Sequence, residues 1–521
     1  MQPDFWNNPM VVSAMRLRYR RGSPGLTSSL YLMALVGLGG VLWYYAHRFP
    51  MPVGRVFLIA ILGIQFALSG LIAMSCVAGS IIGEVTNRTL DFQRIVSLSP
   101  REILMGKLIG EPAISYFLAI STVPLAIFCW LWGAAPLWDV AWFYLNLATF
   151  TLLCASLGLI NTYVANPQAA GKKSSGAGMT IIIFVVTIQF ISLRSGGVLD
   201  SAWFDTIIGL LTPIDSLREL ARGDAWQAEI ELWGVGVPSL LAAPLAQMAL
   251  AGWFVATMSR RLKNPLDPPV SKRGFYGALL VFDLLSAGIC YSQGLLGVGL
   301  EQIASQFALA HLIATLLLLL GTVPNQAALK SWVWRFRGQQ SWIRDSCLAG
   351  RAEVTMLLPV ACLLGGLVLV VGLVAPTVAG NLPNGLGGLA RPMGEIWLVT
   401  SLLLLALGMT HQMFVALMEK GGVLFYLLLV AAANALPPLT ASLVENVRPQ
   451  GALLGLDGLA LSLSPIVFFV TRAAPSSRGA TDPSLLSVAA VGLLMFSFFA
   501  FRRWLRRETV GVSDKLRQMG V

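Results

Sequence analysis

Charge is scarce in this chain of 521 residues: only 12% are Asp, Glu, Lys or Arg, about half the share found in soluble domains. Hydrophobic residues make up 56%, and the mean hydropathy is +0.73. One signal peptide or one anchor cannot raise the mean of so long a chain. A water-soluble enzyme, a disordered chain and a disulfide-stapled secreted domain are therefore excluded. Cysteine is sparse as well. Cys76, Cys129, Cys154, Cys290 and Cys362 sit in apolar runs and Cys347 in a polar loop, with no CxxC pair, which leaves metal and redox chemistry without support. HExxH, GxSxG and paired catalytic carboxylates are missing too, so no enzymatic activity is expected. A P-loop is also lacking. The nearest string, Asn166 to Lys173, has neither the first Gly nor a hydroxyl after the Lys, so its backbone cannot cradle phosphates in the usual way. Met1 to Arg21 is polar and basic, and with no apolar core before a small-residue cleavage site, no cleavable signal is expected.

What the chain has is apolar runs of about 20 residues, the length of a membrane-crossing helix rather than of a barrel strand. They lie at Ser29–Tyr45, Phe57–Ile82, Pro112–Trp132, Val140–Val164, Met179–Leu193 and Val235–Met258, with a segment Ala202–Leu217 broken at Thr212-Pro213. A basic, Pro-rich stretch over 259–274 reads as a linker. The pattern then begins again: Phe275–Ser292, Ile303–Val323, Val354–Val374, Ile396–Leu417, Val423–Leu443, a segment Leu453–Val470 broken at Ser464-Pro465, and Leu485–Phe501. Pro213 and Pro465 are 252 positions apart, and Arg260 and Arg502 are 242 apart. The reading is an all-α polytopic membrane protein of about 12 transmembrane helices. It is built as two fused six-helix modules, 29–258 and 275–501, in parallel orientation.

The charge census supports this topology. With the N-terminus inside and the two Pro-broken segments re-entrant, 27 of the 36 Lys and Arg residues fall on the cytoplasmic side. They lie mainly in residues 1–28, the polar stretches 83–110 and 324–351, the linker, and the tail 502–521. Counting Leu453–Val470 as a full crossing would place the basic tail outside, against the positive-inside rule. Proline removes a donor and breaks the helix, which gives the re-entrant turns at Pro213 and Pro465 a physical cause. The net charge of +11 is thereby assigned to cytoplasmic loops facing the bilayer, and no nucleic-acid partner is expected. The expected location is an inner or plasma membrane, with both termini cytoplasmic.

The stretch 83–110 reads GEVTNRTLDFQRIVSLSPREILMGKLIG. Thr89 is placed to cap a short helix, Leu90 to Val96, whose apolar Leu90, Phe92, Ile95 and Val96 recur at helical spacing. Ser99 then acts as N-cap, Pro100 takes the first helical position, and Glu102 suits the N-terminal dipole. A stiff helix–turn–helix of this kind transmits a push from a cytoplasmic partner to two membrane helices; an ordinary polar loop is the alternative.

Glu84, Arg88-Thr89-Leu90-Asp91, Leu98-Ser99-Pro100, Arg101-Glu102 and Gly106-Lys107 resemble the signature of ABC-2 type transporter permeases, the membrane subunits of ATP-binding-cassette exporters. Asn8-Pro9-Met10 with Arg16 to Arg20 resembles that family's amphipathic connecting helix, and Leu211-Thr212-Pro213 its re-entrant segment. The close match spans residues 5 to 260. It implies two ABC-2-like modules and a transport subunit without its own ATPase. Separate ATP-binding subunits, expected in two copies, would hold the ATP and Mg, and a second permease chain is an open possibility. Export, rather than import, is also only an implication of the resemblance. The second half departs from the pattern. Its loop carries Trp334, Arg335, Arg337 and Arg344, which suit either the membrane interface or a different docking surface.

Ionisable residues inside spans are costly and are functional candidates by default. Asp283 and His311 fall in neighbouring runs, with His411 further on. A pair of this kind either carries protons or a cation, as in an ion-driven secondary transporter, or makes an interhelical hydrogen bond worth about 0.6 kcal/mol. Glu111 and Glu353 begin runs at the cytoplasmic face and are expected to need no buried partner. A non-transporting membrane scaffold is the remaining alternative.

Overall fold

The computed structural model describes residues 8–21, 24–44, 52–87, 89, 99–132, 136–164, 202–222, 229–263, 270–295, 300–320, 326, 329–330, 386–418, 426, 429–430 and 483–518. Nearly all of them are helical. The first half contains α1 (Pro9–Arg21), α2 (Pro24–Tyr44), α3 (Val53–Thr86), α4 (Pro100–Met105), a π-turn (Gly106–Gly110), α5 (Ala113–Leu131), α6 (Leu137–Val164), α7 (Ala202–Leu211), α8 (Ile214–Arg222), strands β1 (Glu229–Leu232) and β2 (Val235–Pro238), and α9 (Ser239–Lys263). The second half contains α10 (Lys272–Leu295), α11 (Leu300–Leu320), α12 (Leu386–Leu417) and α13 (Pro483–Gln518).

Among the described residues, eight helices are long and apolar enough to cross a membrane: α3, α5, α6, α9, α10, α11, α12 and α13; α2 adds a shorter apolar stretch, Ser28–Tyr44. Helix is the form these runs must take in lipid, because it satisfies every backbone N–H and C=O within the segment. The architecture is that of a multi-pass helical membrane protein. The runs Met179–Leu193, Val354–Val374 and Leu453–Val470, and nearly all of Val423–Leu443, lie outside the described residues.

The first half packs α3 against α5, α6 and α2, and α6 against α9. Its cores centre on Leu58, Ile61, Leu62, Phe143 and Leu147, and on Ala73, Val77, Ala155 and Leu159. The second half packs α10, α11, α12 and α13 around Cys290, Phe307, Ala308, Leu404 and Ala406. Burial is deepest along α11 and α12 and least along α13. On α13, Val488, Met495, Phe496 and Phe499 point outward, a composition suited to contact with lipid.

The helical reading of the fold holds, and the structure refines it at three points. Beside the helices, Glu229–Leu232 and Val235–Pro238 form a short antiparallel hairpin. The span read from Val235 therefore starts as a helix only at Ser239. The linker of 259–274 is shorter than its composition implied, since α9 continues through Lys263 and α10 begins at Lys272. The tail from Arg502 is helical as far as Gln518, because nothing in it interrupts the helix begun at Pro483.

Candidate functional site

The site is built from Ser99 upward. Its hydroxyl accepts the Glu102 N–H at 3.3 Å, and its own N–H donates to Glu102 Oε2 at 2.7 Å. With Pro100 at the first position, where no N–H is present, this capping box satisfies two of the donors at the start of α4. After six residues the helix widens into the π-turn, a feature that often marks functional positions. Tyr116 Oη donates to the Leu108 carbonyl at 3.2 Å, satisfying an acceptor within the widened segment.

Gly106 and Gly110, four residues apart, present bare backbone to α1. A Cβ added at Gly106 would lie 2.4 Å from Met10 Cβ, and one added at Gly110 would lie 2.7 Å from Ala14 Cβ. Small residues at this spacing let two helices approach closely. Asn8 joins the two elements. Its Oδ1 accepts the Met10 N–H at 2.9 Å, capping α1, while its Nδ2 donates to the Glu102 carbonyl at 3.0 Å.

Lys107 lies inside this joint and is buried. Its ammonium is ion-paired with Glu84 at the end of α3, donates to Ser80 Oγ at 2.5 Å and lies 3.5 Å from Glu111 Oε1. Ser80 Oγ in turn donates to Glu111 at 2.6 Å. An ammonium has three donors, and here each has a partner. Glu111, expected to stand alone, is thus part of the joint; the reason is the helical turn that brings it back over Lys107, four residues earlier. The arrangement is a cluster of one buried ammonium, two carboxylates and one hydroxyl. It locks α1, the end of α3, α4 and the entry into α5 into one unit.

Of the other residues singled out in this region, Arg101 is exposed, and Thr89 Oγ1 donates to the Glu84 carbonyl at 3.3 Å. Thr89 is itself helical, and the helix expected over Leu90 to Val96 lies outside the described residues. Arg88, Leu90, Asp91, Trp334, Arg335, Arg337, Arg344 and Pro465 lie outside the described residues. Pro213 sits in the break between α7 and α8, where Thr212 Oγ1 bonds back to the Ile208 carbonyl at 2.7 Å.

Helix α8 is held by uncharged groups that the search for ionisable residues passed over. Gln247 Nε2 donates to Asn146 Oδ1 at 2.7 Å, Asn146 Nδ2 donates to Ser216 Oγ at 3.0 Å, and Thr149 Oγ1 donates to Gln247 Oε1 at 2.6 Å. All four side chains are buried. The amides at 146 and 247, each in the interior of an apolar run, were the available signal. Replacing Gln247 with Leu leaves Asn146 Oδ1 without its donor and takes from Thr149 its side-chain acceptor, although Thr149 Oγ1 keeps the Leu145 and Asn146 carbonyls. The expected loss is about 1–2 kcal/mol, above the ~0.6 kcal/mol average for one interhelical bond. Unfolding in mixed detergent–SDS micelles measures it, and an unchanged midpoint would discount the network.

The hairpin is fastened to α10. Trp233 and Gly234 both have positive φ, 55° and 75°, as a two-residue type I′ turn requires. The Trp233 N–H donates to the Gly288 carbonyl at 3.1 Å and the Gly234 N–H to Ser292 Oγ at 2.9 Å. The indole lies over Gly288, where a Cβ would come within 2.6 Å of its Nε1. This contact accounts for a tryptophan at a strained position usually given to Asn or Gly.

Asp283 and His311 are brought together. Nδ1 of the imidazole lies 2.9 and 3.0 Å from the two carboxylate oxygens, and both residues are buried. Among the described residues, no group of three or more His, Cys, Asp or Glu is placed to hold a metal ion. No family model, curated protein or solved structure matches the chain.

Proposed function

We propose that this chain is the membrane-spanning permease subunit of an ATP-driven transporter, most consistent with an exporter, served by separate ATPase subunits that hold ATP and Mg. The observation that carries the reading is the joint around Lys107. A surface helix, α1, rests on Gly106 and Gly110, and the ion-paired Lys107 beneath it ties the ends of α3 and α5. Both of those helices continue as apolar spans. A force applied to the surface helices is therefore delivered to two membrane helices as one rigid displacement, which suits an energy-coupling element better than a passive loop. The residues Glu84 to Lys107 form the coupling element in this reading, and the loop holding Trp334 to Arg344 serves the second module. The fusion of two modules gives one chain two halves to rock against each other around a central path.

Purification from native membranes in mild detergent, followed by mass spectrometry, tests the proposal. The expected result is a near-stoichiometric soluble protein bearing a P-loop, whose copy number shows whether both halves dock one. A preparation that transports or purifies intact with no such partner would overturn it.

A further inference from the structure

Asp283 lies eleven residues into α10 and His311 eleven residues into α11, so both stand near the middle of membrane-length helices. The two helices run antiparallel: Asp283 meets His311, while Cys290, seven residues on, meets the Ile303 carbonyl. Both carboxylate oxygens lie within hydrogen-bond distance of the imidazole Nδ1; with Asp283 ionised, Nδ1 is the nitrogen that must carry a proton and donate it. The other nitrogen, Nε2, is buried and has no hydrogen-bond partner. Two more polar atoms share this condition. Ser286 Oγ, one turn from Asp283 toward the α10–α11 connection, and Thr315 Oγ1, one turn from His311 in the opposite direction, are buried without partners. Around them is the apolar packing of Phe307, Ala308, Leu312 and Leu404.

A carboxylate beside a neutral imidazole has a net charge of −1, and an uncompensated charge is expensive in so apolar a setting. One added proton on Nε2 converts the pair into a net-neutral ion pair. We propose that Asp283 and His311 form a one-proton binding site at mid-membrane depth, loaded and emptied through His311 Nε2, with the Ser286 and Thr315 hydroxyls as the steps toward either side. In the loading step a hydronium O–H bond breaks, an Nε2–H bond forms and a neutral water remains; emptying is the reverse. The site thereby couples one proton to the packing of α10 against α11 and α12.

The other titratable or charged groups on packed, described elements are Lys272, Arg273, Tyr276, Cys290 and Tyr291 on α10 itself, Glu301 on α11, Asp205 on α7, Glu229 and Glu231 on β1, and Arg391, Glu395 and His411 on α12. Neither Asp283 nor His311 hydrogen-bonds or ion-pairs with any of them. The site is thus electrostatically its own unit, and it does not rest on the permease reading.

The chain has three histidines, His47, His311 and His411, so histidine-selective 15N labelling of the full chain in lipid nanodiscs resolves the site. The single variants His47→Gln and His411→Gln assign the signals. As the pH is lowered from about 8 to about 5, the range in which histidine commonly switches, Nε2 of His311 is expected to pass from bare to protonated while Nδ1 stays protonated. In Asp283→Asn, which keeps an acceptor for Nδ1–H but removes the counter-charge, the doubly protonated form is expected to be lost. A His311 that holds one unchanging state over the whole range in the wild-type chain overturns the proposal and leaves a structural hydrogen bond. A switch unaltered by Asp283→Asn overturns the pairing. If that variant does not fold, the wild-type titration alone decides.

Discussion

Replacing Lys107 with methionine is expected to destabilise the folded chain by about 3 kcal/mol, the lower end of the cost of breaking a buried ion pair from one side. Methionine keeps the stem's volume, so little of the loss comes from packing. What remains is two carboxylates, Glu84 and Glu111, that have lost the ammonium shared between them. Their side chains are 18% and 16% exposed, so water takes up part of the lost interaction, which is why the lower figure applies. Glu84→Gln is a milder change. It leaves Lys107 with Glu111 and Ser80, and is expected to cost about 1 kcal/mol. The double variant should then be more stable than the sum of the two single losses implies, because the second substitution removes one of the charges stranded by the first. Chemical unfolding of the four chains in one lipid or detergent system closes the cycle. A zero interaction term would mean that the joint is held by α1 packing alone. If the permease reading holds, Lys107→Met also uncouples a bound ATPase even at temperatures where the chain stays folded.

Much of the scaffold was legible because long apolar runs have one solution in lipid. The limits of α3, α5, α6 and α10 to α12 fall within a few residues of the runs, except that α12 begins ten residues earlier at Leu386. Ser99-Pro100-Arg101-Glu102 was legible because a capping box is local: four consecutive residues carry all of its partners. The meeting of Asp283 and His311 was nearly legible, since consecutive spans joined by a short connection must pack antiparallel. The joint was not. Nothing in Gly106-Lys107-Leu108-Ile109-Gly110 taken by itself announces a π-turn, and the element that covers the two glycines, α1, lies about a hundred positions away. Glu111 was misjudged for the same reason: its partner Ser80 is thirty-one positions distant. The hairpin escaped because Val235 to Pro238 is as apolar as the helix it precedes, and hydropathy does not separate four residues of strand from the start of a span.

Gly106→Leu is expected to detach α1, a local loss of about 1–3 kcal/mol in overpacking that abolishes the docked state. Even the first carbon of the new side chain would lie 2.4 Å from Met10 Cβ and 3.2 Å from the Met10 carbonyl carbon. The second of these is backbone and cannot rotate away. Relief therefore requires α1 to move as a body, which stretches the Asn8 bond to the Glu102 carbonyl. Gly110→Leu is expected to be weaker, because its nearest obstacle is the Ala14 methyl and the first backbone atom lies at 3.4 Å. Gly37→Leu is the control, with nothing within 4 Å of its Cβ position. Hydrogen exchange of the α1 amides reads the outcome. Protection over Val11 to Met15 is expected to fall at least tenfold for Gly106→Leu, less for Gly110→Leu, and not at all for Gly37→Leu. The order distinguishes two origins of the π-turn. If α1 merely rests on it, the amides of Gly106 to Gly110 keep their protection when α1 leaves. If α1 holds it open, those amides change as well, since the segment is then free to close into an uninterrupted α-helix from Pro100 toward α5. The second outcome would make the position of a surface helix the determinant of geometry at the mouth of a membrane span, which is what a coupling element must provide.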